Sequence, residues 1–543
     1  MAHAEKERVI SHLKESFGKP GNRKISENRK KALQSNLERF FDDDSKDLLD
    51  DLTWSDTGMD DIFHQMDVCL SAAGEEYLYR NLHNISHTKE ELTDIDNTVK
   101  DIASDEDFRL RLGISLNELG FSGSLSLPEC LELISSGSGK ISAGFHIFVD
   151  LTFIPAVILI FIKPIPAVIL LVALVIFNIA TYFNIKNSAE EHLHGVSEVI
   201  ALTRIEKSLP DHDSHIGEQI KSLKKLLSSL KVKTVFSAFV INSGSNASNG
   251  IFSMLFTYIN LLFHFDIIAC ASLLKFIARE KDNILKAYEM TGYLDMCLAT
   301  SSYRVYLEGI SGWCVPVFAD DKRIDIEKGY IPLISKPVCN DASNDSGVLI
   351  TGSNASGKST YMRMIAVNAI LAQTVSTCPA NYYKACLFRI YSSIAVSDSI
   401  LKGESYFMAE IKSLKRIVDA AEIRDGRTVL CFIDEILRGT NTSERIAAAA
   451  SVLDHLAKEG VLVYAATHDI ELTKLSANRY KNVHFSEEIT EEDVTFTYEL
   501  QDGPSKTRNA IALLKKNGFP EDVVRDSEKL CSALDVKSDI NVY

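Results

Sequence analysis

The chain has 543 residues, 46% of them apolar and 24% charged, and a net charge of −16. Its length corresponds to about three or four domains. The apolar share is that of a globular chain with several cores. The charge excludes a polycationic surface, so any contact with nucleic acid has to come from local basic patches. Ten cysteines are scattered from Cys69 to Cys531 without a Cys-x-x-Cys pair. That argues for reduced, cytosolic thiols and against a disulfide frame or zinc site. The N-terminus shows no apolar h-region, and no cleaved secretory signal is expected.

Residues 1–52 form a charged segment, basic at Arg23, Lys24, Arg29, Lys30 and Lys31, then acidic at Asp42–Asp44. It reads as a solvated helix or tail rather than a nucleic-acid arm. Residues 53–310 read as a helical core or lever domain. Apolar residues recur at helical spacing around Met66, Leu70, Leu78 and Leu82. Residues 142–183 are different. Ser142–Ile162 is almost wholly apolar apart from His146 and Asp150, Lys163-Pro164 interrupts, and Ile165–Phe183 carries no formal charge. Pro-Ala-Val-Ile-Leu occurs at both 155–159 and 166–170. Each run approaches the ~20 residues of a bilayer-spanning helix. A membrane hairpin with both ends in the cytosol is the preferred reading, and Lys186 fits the positive-inside bias. A buried hairpin in a soluble core is the alternative, because Asp150 and the Lys-Pro turn are costly in lipid.

Residues 188–233 return to a charged amphipathic pattern. Lys221, Lys224, Lys225 and Lys231 share one face, opposite Leu223, Leu226, Leu227 and Leu230. A solvated face is the first reading of these lysines and a DNA phosphate-binding stripe the second. Ser243–Asn249 is a loop. Gly250–Ile277 is long enough for one crossing or for a buried core helix. Residues 279–310 read as a helix, leading to short strands around Ile324-Asp-Ile326.

The most specific stretch follows. Gly352-Ser353-Asn354-Ala355-Ser356-Gly357-Lys358-Ser359 fits G-x-x-x-x-G-K-[ST] without mismatch. Val348–Thr351 before it is β-prone, and Thr360–Ala369 after it reads as a helix. In a strand–loop–helix context such glycines let backbone N–H groups approach phosphates, at a helix N-terminus that favours anions. Lys358 can then reach the β- and γ-phosphates of ATP, and Ser359 can ligate Mg²⁺. Val429–Ile433 is a buried-strand run ending in Asp434-Glu435. The first carboxylate suits Mg²⁺, and the second suits orienting or deprotonating the attacking water. A second buried run, Val461–Ala465, leads to Thr467-His468-Asp469, which places His468 to sense a γ-phosphate or that water.

Four segments together resemble the ATPase motifs of the MutS family, in family order and at similar spacing: Leu349–Arg363, Gly403–Glu410, Asp434–Thr442 and Ala466–Thr473. No L-S-G-G-Q-type signature is present. Ser505–Ala510 and Gly518–Val524 resemble the family's closing dimerisation helices, Trp313–Pro332 its segment before the ATPase core, and Ser71–Leu78 the start of its helical core. The resemblance is strong over about 325–530 and loose over about 55–310. It implies an α/β P-loop NTPase domain over 311–530, of the ABC-type ATPase kind found in MutS, after the mostly α-helical domain, with a tail at 531–543. Under it, Gly352 to Thr360 bind nucleotide, Asn354 being the family's P-loop Asn. Ser359 and Asp434 hold Mg²⁺, Glu435 acts on the water and His468 reads the γ-phosphate. Ser405 completes the site of the neighbouring subunit in a homodimer. Ahead of the helical core there is no Phe-x-Glu wedge of the kind that reads mismatches, and the clamp insertion looks shortened. The resulting expectation is a MutS-type ATPase coupled to DNA without mismatch reading. It would be membrane-associated with its ATPase domain in the cytoplasm, and would meet other repair or recombination proteins. The alternatives are an ATP-driven membrane switch or scaffold that binds no DNA, and a soluble cytoplasmic form.

Overall fold

The computed structural model describes residues 3–41, 48–121, 126–137, 143–245, 263–353, 356–394, 406–423, 426–438, 440–489, 494–505, 511, 514 and 516–538. The chain divides into two compact units. The first comprises Met1–Leu48, Asp61–Gly309 and Thr374–Ser376, the second Leu49–Asp60, Ile310–Gln373 and Thr377–Tyr543.

The first unit is built of helices. Its centre is the pair Ala72–His83 and Lys281–Glu308. Ser71 caps the former, its Oγ accepting from the Gly74 N–H at 3.2 Å. Small residues let the two backbones close up. A Cβ on Gly74 would lie 2.2 Å from the Asp295 carboxylate, and one on Gly292 would lie 2.5 Å from the Ala73 carbonyl oxygen. Asp295 is fully buried and accepts from Leu70 N–H (3.1 Å), Ser71 N–H (2.8 Å) and Ser71 Oγ (2.6 Å). Burial pushes its carboxyl up to about 7 in spite of those bonds. Beside it Arg29 bridges Glu75 at 2.5 Å and Glu76 at 2.8 Å, so these buried carboxylates are paired. The helix Lys89–Ser104 opens on a capping box of Thr88 and Glu91 and buries Leu92, Ile95, Val99 and Ile102 at helical spacing.

The apolar stretch folds as Ala143–Leu151, Phe153–Ile160 and the first half of Pro164–Arg204, with Pro164 entering the last helix where a missing N–H costs nothing. Two windows, Ala143–Ile160 and Pro164–Tyr182, are long and apolar enough to cross a membrane, and only 22% and 17% of their residues are buried. The outward residues are large and apolar: Phe148, Phe161, Ile165, Val172 and Ile176 are all more than half exposed. Polar groups turn inward. His146, Asn178 and His264 are buried, the two imidazole Nδ1 atoms lie 3.0 Å apart, and His264 Nε2 donates to the Asn178 carbonyl at 2.9 Å. Asn178 in turn donates to Asp150 at 3.4 Å. The expected helix at 188–233 is divided instead between Pro164–Arg204 and His215–Ser245. Of the run 250–277, residues 250–262 lie outside the described residues, and the helix Phe265–Arg279 accounts for the remainder.

The second unit carries two sheets. Strands β1 (Val317–Phe318), β2 (Ile324–Gly329), β3 (Asn340–Asn344) and β5 (Tyr382–Ala385) form one, in the order β1-β5-β2-β3. The larger has the order β10-β9-β4-β8-β7-β6. It comprises β4 (Gly347–Thr351), β6 (Phe388–Ser393), β7 (Thr428–Asp434), β8 (Val461–Thr467), β9 (Tyr480–Ile489) and β10 (Val494–Asp502). All its pairings are parallel except β9 with β10. The helices Tyr406–Ala421 and Thr442–Leu456 bury Leu414, Ile417, Ala449 and Leu453 against Val429, Cys431, Val461 and Val463. Burial on both sheet faces explains the near-continuous apolar strands. Residues 49–60, placed by sequence mainly with the helical core, pack here. The helix Asp51–Thr57 covers edge strand β6, where Asp56 accepts from Ser392 Oγ (2.6 Å) and Ile394 N–H (2.7 Å), and Thr53 Oγ1 accepts from Ser392 N–H (3.0 Å). An otherwise open sheet edge is thereby satisfied.

Candidate functional site

Topology brings the three motif-bearing strands together. β4 lies directly beside β8, and β8 beside β7, with Thr351 opposite Thr467 and Asp434 opposite Ala466. Their C-terminal ends therefore reach one edge, the usual place for a ligand in an open parallel sheet. Gly352 follows β4 at φ +147°, and Gly357 stands at φ +111° just before the helix Lys358–Val375. A side chain at Gly352 would meet Phe485 O at 3.0 Å and Ser356 Oγ at 2.9 Å, so glycine is required for both conformation and space. Lys358 Nζ donates to the carbonyls of Gly352 and Ser353, each at 2.8 Å. Ser356 Oγ is buried with no hydrogen-bond partner among the described residues. Asn354 and Ala355 lie outside the described residues, as does Ser405.

Ser359 Oγ donates to Asp434 Oδ2. A hydroxyl and a carboxylate in such contact can both face one small hard cation, the oxygen donor set that Mg²⁺ prefers. Burial raises the Asp434 pKa, against the Ser359 hydrogen bond that lowers it. Glu435, next in the chain, is held at φ +55° and Leu437 at φ +57°, both costly conformations for residues with a Cβ. Glu435 Oε1 lies 2.8 Å from His468 Nε2, and its Oε2 accepts from Arg438 Nε. Burial pushes the Glu435 pKa up, but the bonds from His468 and Arg438 outweigh it and hold the group at about 2. Glu435 is thus ionised throughout the neutral range, with both carboxylate oxygens held by His468 and Arg438.

Between this edge and β10 lies a cavity of about 400 Å³ lined by Ile331, Ile334, Val338, Thr360, Tyr361 and Tyr498. It adjoins the loop at Gly357 and is mostly apolar, with aromatic faces suited to a planar ring. Of the sequence-nominated residues, Gly352, Ser353, Ser356, Gly357, Lys358, Ser359, Thr360, Asp434, Glu435 and His468 come together. The lysines of 221–231 belong to the other unit. There Lys224 bonds Asp211 at 2.7 Å and Lys231 bonds Glu206, while Lys221 and Lys225 are exposed. Sequence reasoning gave no role to Arg438, three residues after Glu435 in the turn that follows β7, nor to Glu410, whose Oε1 accepts from Arg438 N–H at 3.2 Å. It also passed over Arg445 and Asp469, which pair bidentately at 2.6 and 2.8 Å. Lying 24 positions apart, those two leave no local pattern to detect.

An α/β domain with a glycine-bounded loop, a lysine-initiated helix and a paired carboxylate at neighbouring strand ends defines the ATPase-type class. Residues 348–535 match the family model described as MutS domain V. The chain is 31% identical over 269 residues to the DNA mismatch repair protein MutS of Natronomonas pharaonis, a match covering 48% of this chain and 30% of that protein. It is 32% identical over 233 residues to the DNA mismatch repair proteins MutS and HexA of two Streptococcus pneumoniae strains, covering 40% of this chain and 27% of each of them. Residues 348–535 thus carry a domain of the MutS family. The chain spans about a third of the length of these curated relatives.

Proposed function

We propose that this protein binds ATP with Mg²⁺ at the C-terminal edge of β4, β8 and β7 and hydrolyses it at a dimer interface. Convergence of Lys358, Ser359, Asp434, Glu435 and His468 on that edge carries the reading. In it, Lys358 exchanges its two loop carbonyls for phosphate oxygens, Ser356 and the loop N–H groups complete the cradle, and the aromatic cavity receives the adenine. Ser359 and Asp434 would hold the Mg²⁺, which would supply positive charge beside the phosphates. Glu435 orients the water and accepts its proton, with His468 holding the carboxylate's other side toward the γ-phosphate. By resemblance, Asn354 belongs to the cradle and Ser405 enters the neighbouring subunit's site.

Hydrolysis is coupled, in this reading, to DNA binding of mismatch-repair type, in company with other repair or recombination proteins. Mismatch reading itself is assigned to none of the described elements. The hairpin 142–183 supports membrane association, with the ATPase domain in the cytoplasm. Its outward face is apolar over two spans while its His146 and Asn178 turn inward, the latter donating to Asp150, the arrangement expected where lipid is the surroundings. The same face favours a second reading, an ATP-driven membrane switch that binds no DNA, because two of the four candidate lysines are already neutralised by acidic neighbours.

The test is the ATPase rate in detergent, with and without duplex, mismatched and branched DNA, across a salt series. Stimulation that fades with salt, as phosphate contacts must, supports the DNA-coupled reading. A rate indifferent to every DNA at low salt removes it and leaves the switch. No hydrolysis above a Lys358→Ala control removes both.

A further inference from the structure

Asp469 occupies the N-cap position of the helix Ile470–Leu475, yet its side chain makes no capping hydrogen bond. An aspartate there ordinarily satisfies the helix's free N–H groups. Both carboxylate oxygens are instead given to Arg445, with Oδ2 accepting from Nε at 2.8 Å and Oδ1 from Nη2 at 2.6 Å. The side chains are 23% and 15% exposed, so the fork is shielded from competing water. Arg445 stands on the first turn of the helix Thr442–Leu456, its own N–H bonded to Asn441 O at 2.8 Å. That helix follows directly on the left-handed loop carrying Glu435 and Leu437. Asp469 is the neighbour of His468 on the turn after β8. The pair therefore ties together the two segments that carry Glu435 and His468, whose own contact is 2.8 Å. Paired planar groups fix angle as well as distance, which a single hydrogen bond does not.

We propose that Arg445 and Asp469 are positioning residues for hydrolysis: their clamp holds the His468 turn against the Glu435 loop, and so sets turnover without contributing to nucleotide binding. In this reading neither touches the nucleotide or the reacting atoms. The inference rests on the assignment of Glu435 and His468 to ATP hydrolysis.

The test combines equilibrium binding of a fluorescent ATP analogue with steady-state ATPase kinetics on the full-length protein. Arg445→Ala and Asp469→Asn should lower kcat by about ten- to a hundredfold, the scale on which displaced catalytic groups lose rate. Analogue binding and KM should stay within about twofold, as for groups that act only in the transition state. Arg445→Lys, which keeps the charge and loses the fork, should fall between and serves if the alanine variant does not fold. The deciding measurement is a double-mutant cycle with His468→Ala. If the clamp acts through His468, Arg445→Ala adds nothing to that background. Equal losses of kcat in both backgrounds, an unchanged kcat, or a parallel loss of analogue binding would each overturn the proposal. Hydrolysis that survives Lys358→Ala would instead sink the site assignment, and the clamp with it. The Lys358→Ala control therefore separates the two failures.

Discussion

Replacing Glu435 by Gln keeps the side chain's size and its reach to His468 and Arg438, but removes the negative charge that accepts a proton. ATP should still bind, because the loop, Lys358, Ser359 and Asp434 are untouched. Turnover should fall by about 10²–10⁴-fold, the contribution of a positioned general base. Nucleotide binding with near-normal turnover would show that another group serves as base. A second expectation at this scale concerns Asp295, whose pKa is raised to about 7 by burial. An unfolded aspartate has a pKa of about 3.9. Between those values the folded state binds more protons than the unfolded one. This group's contribution to stability is therefore full below about pH 4 and declines as pH rises toward 7, by up to about 1.4 kcal/mol per pH unit. Denaturant titrations of the wild type and Asp295→Asn at pH 5, 6 and 7 check the sign. The variant should lose stability less steeply with pH, and an identical slope would show that Asp295 is ionised in the fold.

Among the elements, the apolar hairpin separates two surroundings cleanly. Val172 lies near the middle of the span Pro164–Tyr182 and is 54% exposed. In water, a charge at such an exposed position typically changes stability by no more than about 0.5 kcal/mol. At the centre of a bilayer-spanning helix an arginine costs about 2.5–3.5 kcal/mol. Val172→Arg should consequently reduce the share of protein retained in membranes after carbonate washing, with the ATPase unit still folded. A wild type that washes off entirely would remove the membrane reading without any variant. Comparison of elements with sequence also shows where legibility ends. The buried strands β7 and β8 were visible as apolar runs, and the loop at 352–359 as a fixed pattern. Each depends on residues adjacent in the chain. The cover of β6 by Asp51–Thr57 was not visible, since Asp56 and Thr53 meet residues more than 300 positions away. The division of 188–233 between two helices was also missed, although Pro210 and the Asp and Ser residues of Ser208–Ser214 mark the break between them. Arg445 and Asp469 each look like an ordinary exposed charge until β8 brings the His468 turn beside the helix Thr442–Leu456.

For the whole molecule, the proposal that ATP sits at a dimer interface has a consequence no single chain can show. If Ser405 serves the neighbouring subunit while Lys358 serves its own, the two substitutions damage different sites. A Ser405→Ala homodimer lacks the signature serine at both sites, and a Lys358→Ala homodimer lacks the phosphate-binding lysine at both, so each alone should be nearly inactive. In a mixed dimer one site has both lesions. The other joins the intact Lys358 of the first chain to the intact Ser405 of the second, and is whole. Random exchange of subunits in a closed two-fold dimer makes half the molecules mixed, each with one intact site. Mixing the two inactive proteins should then recover about a quarter of wild-type activity. Recovery should follow the time course of subunit exchange and depend on concentration, as association requires. No recovery under conditions where labelled subunits demonstrably exchange would place Ser405 in its own chain's site, or show that both sites must be intact for either to turn over. The Ser405→Ala variant mixed with wild type separates these: mixed dimers then keep one whole site, and turnover per dimer falls by about half for independent sites and to near zero for obligately paired ones.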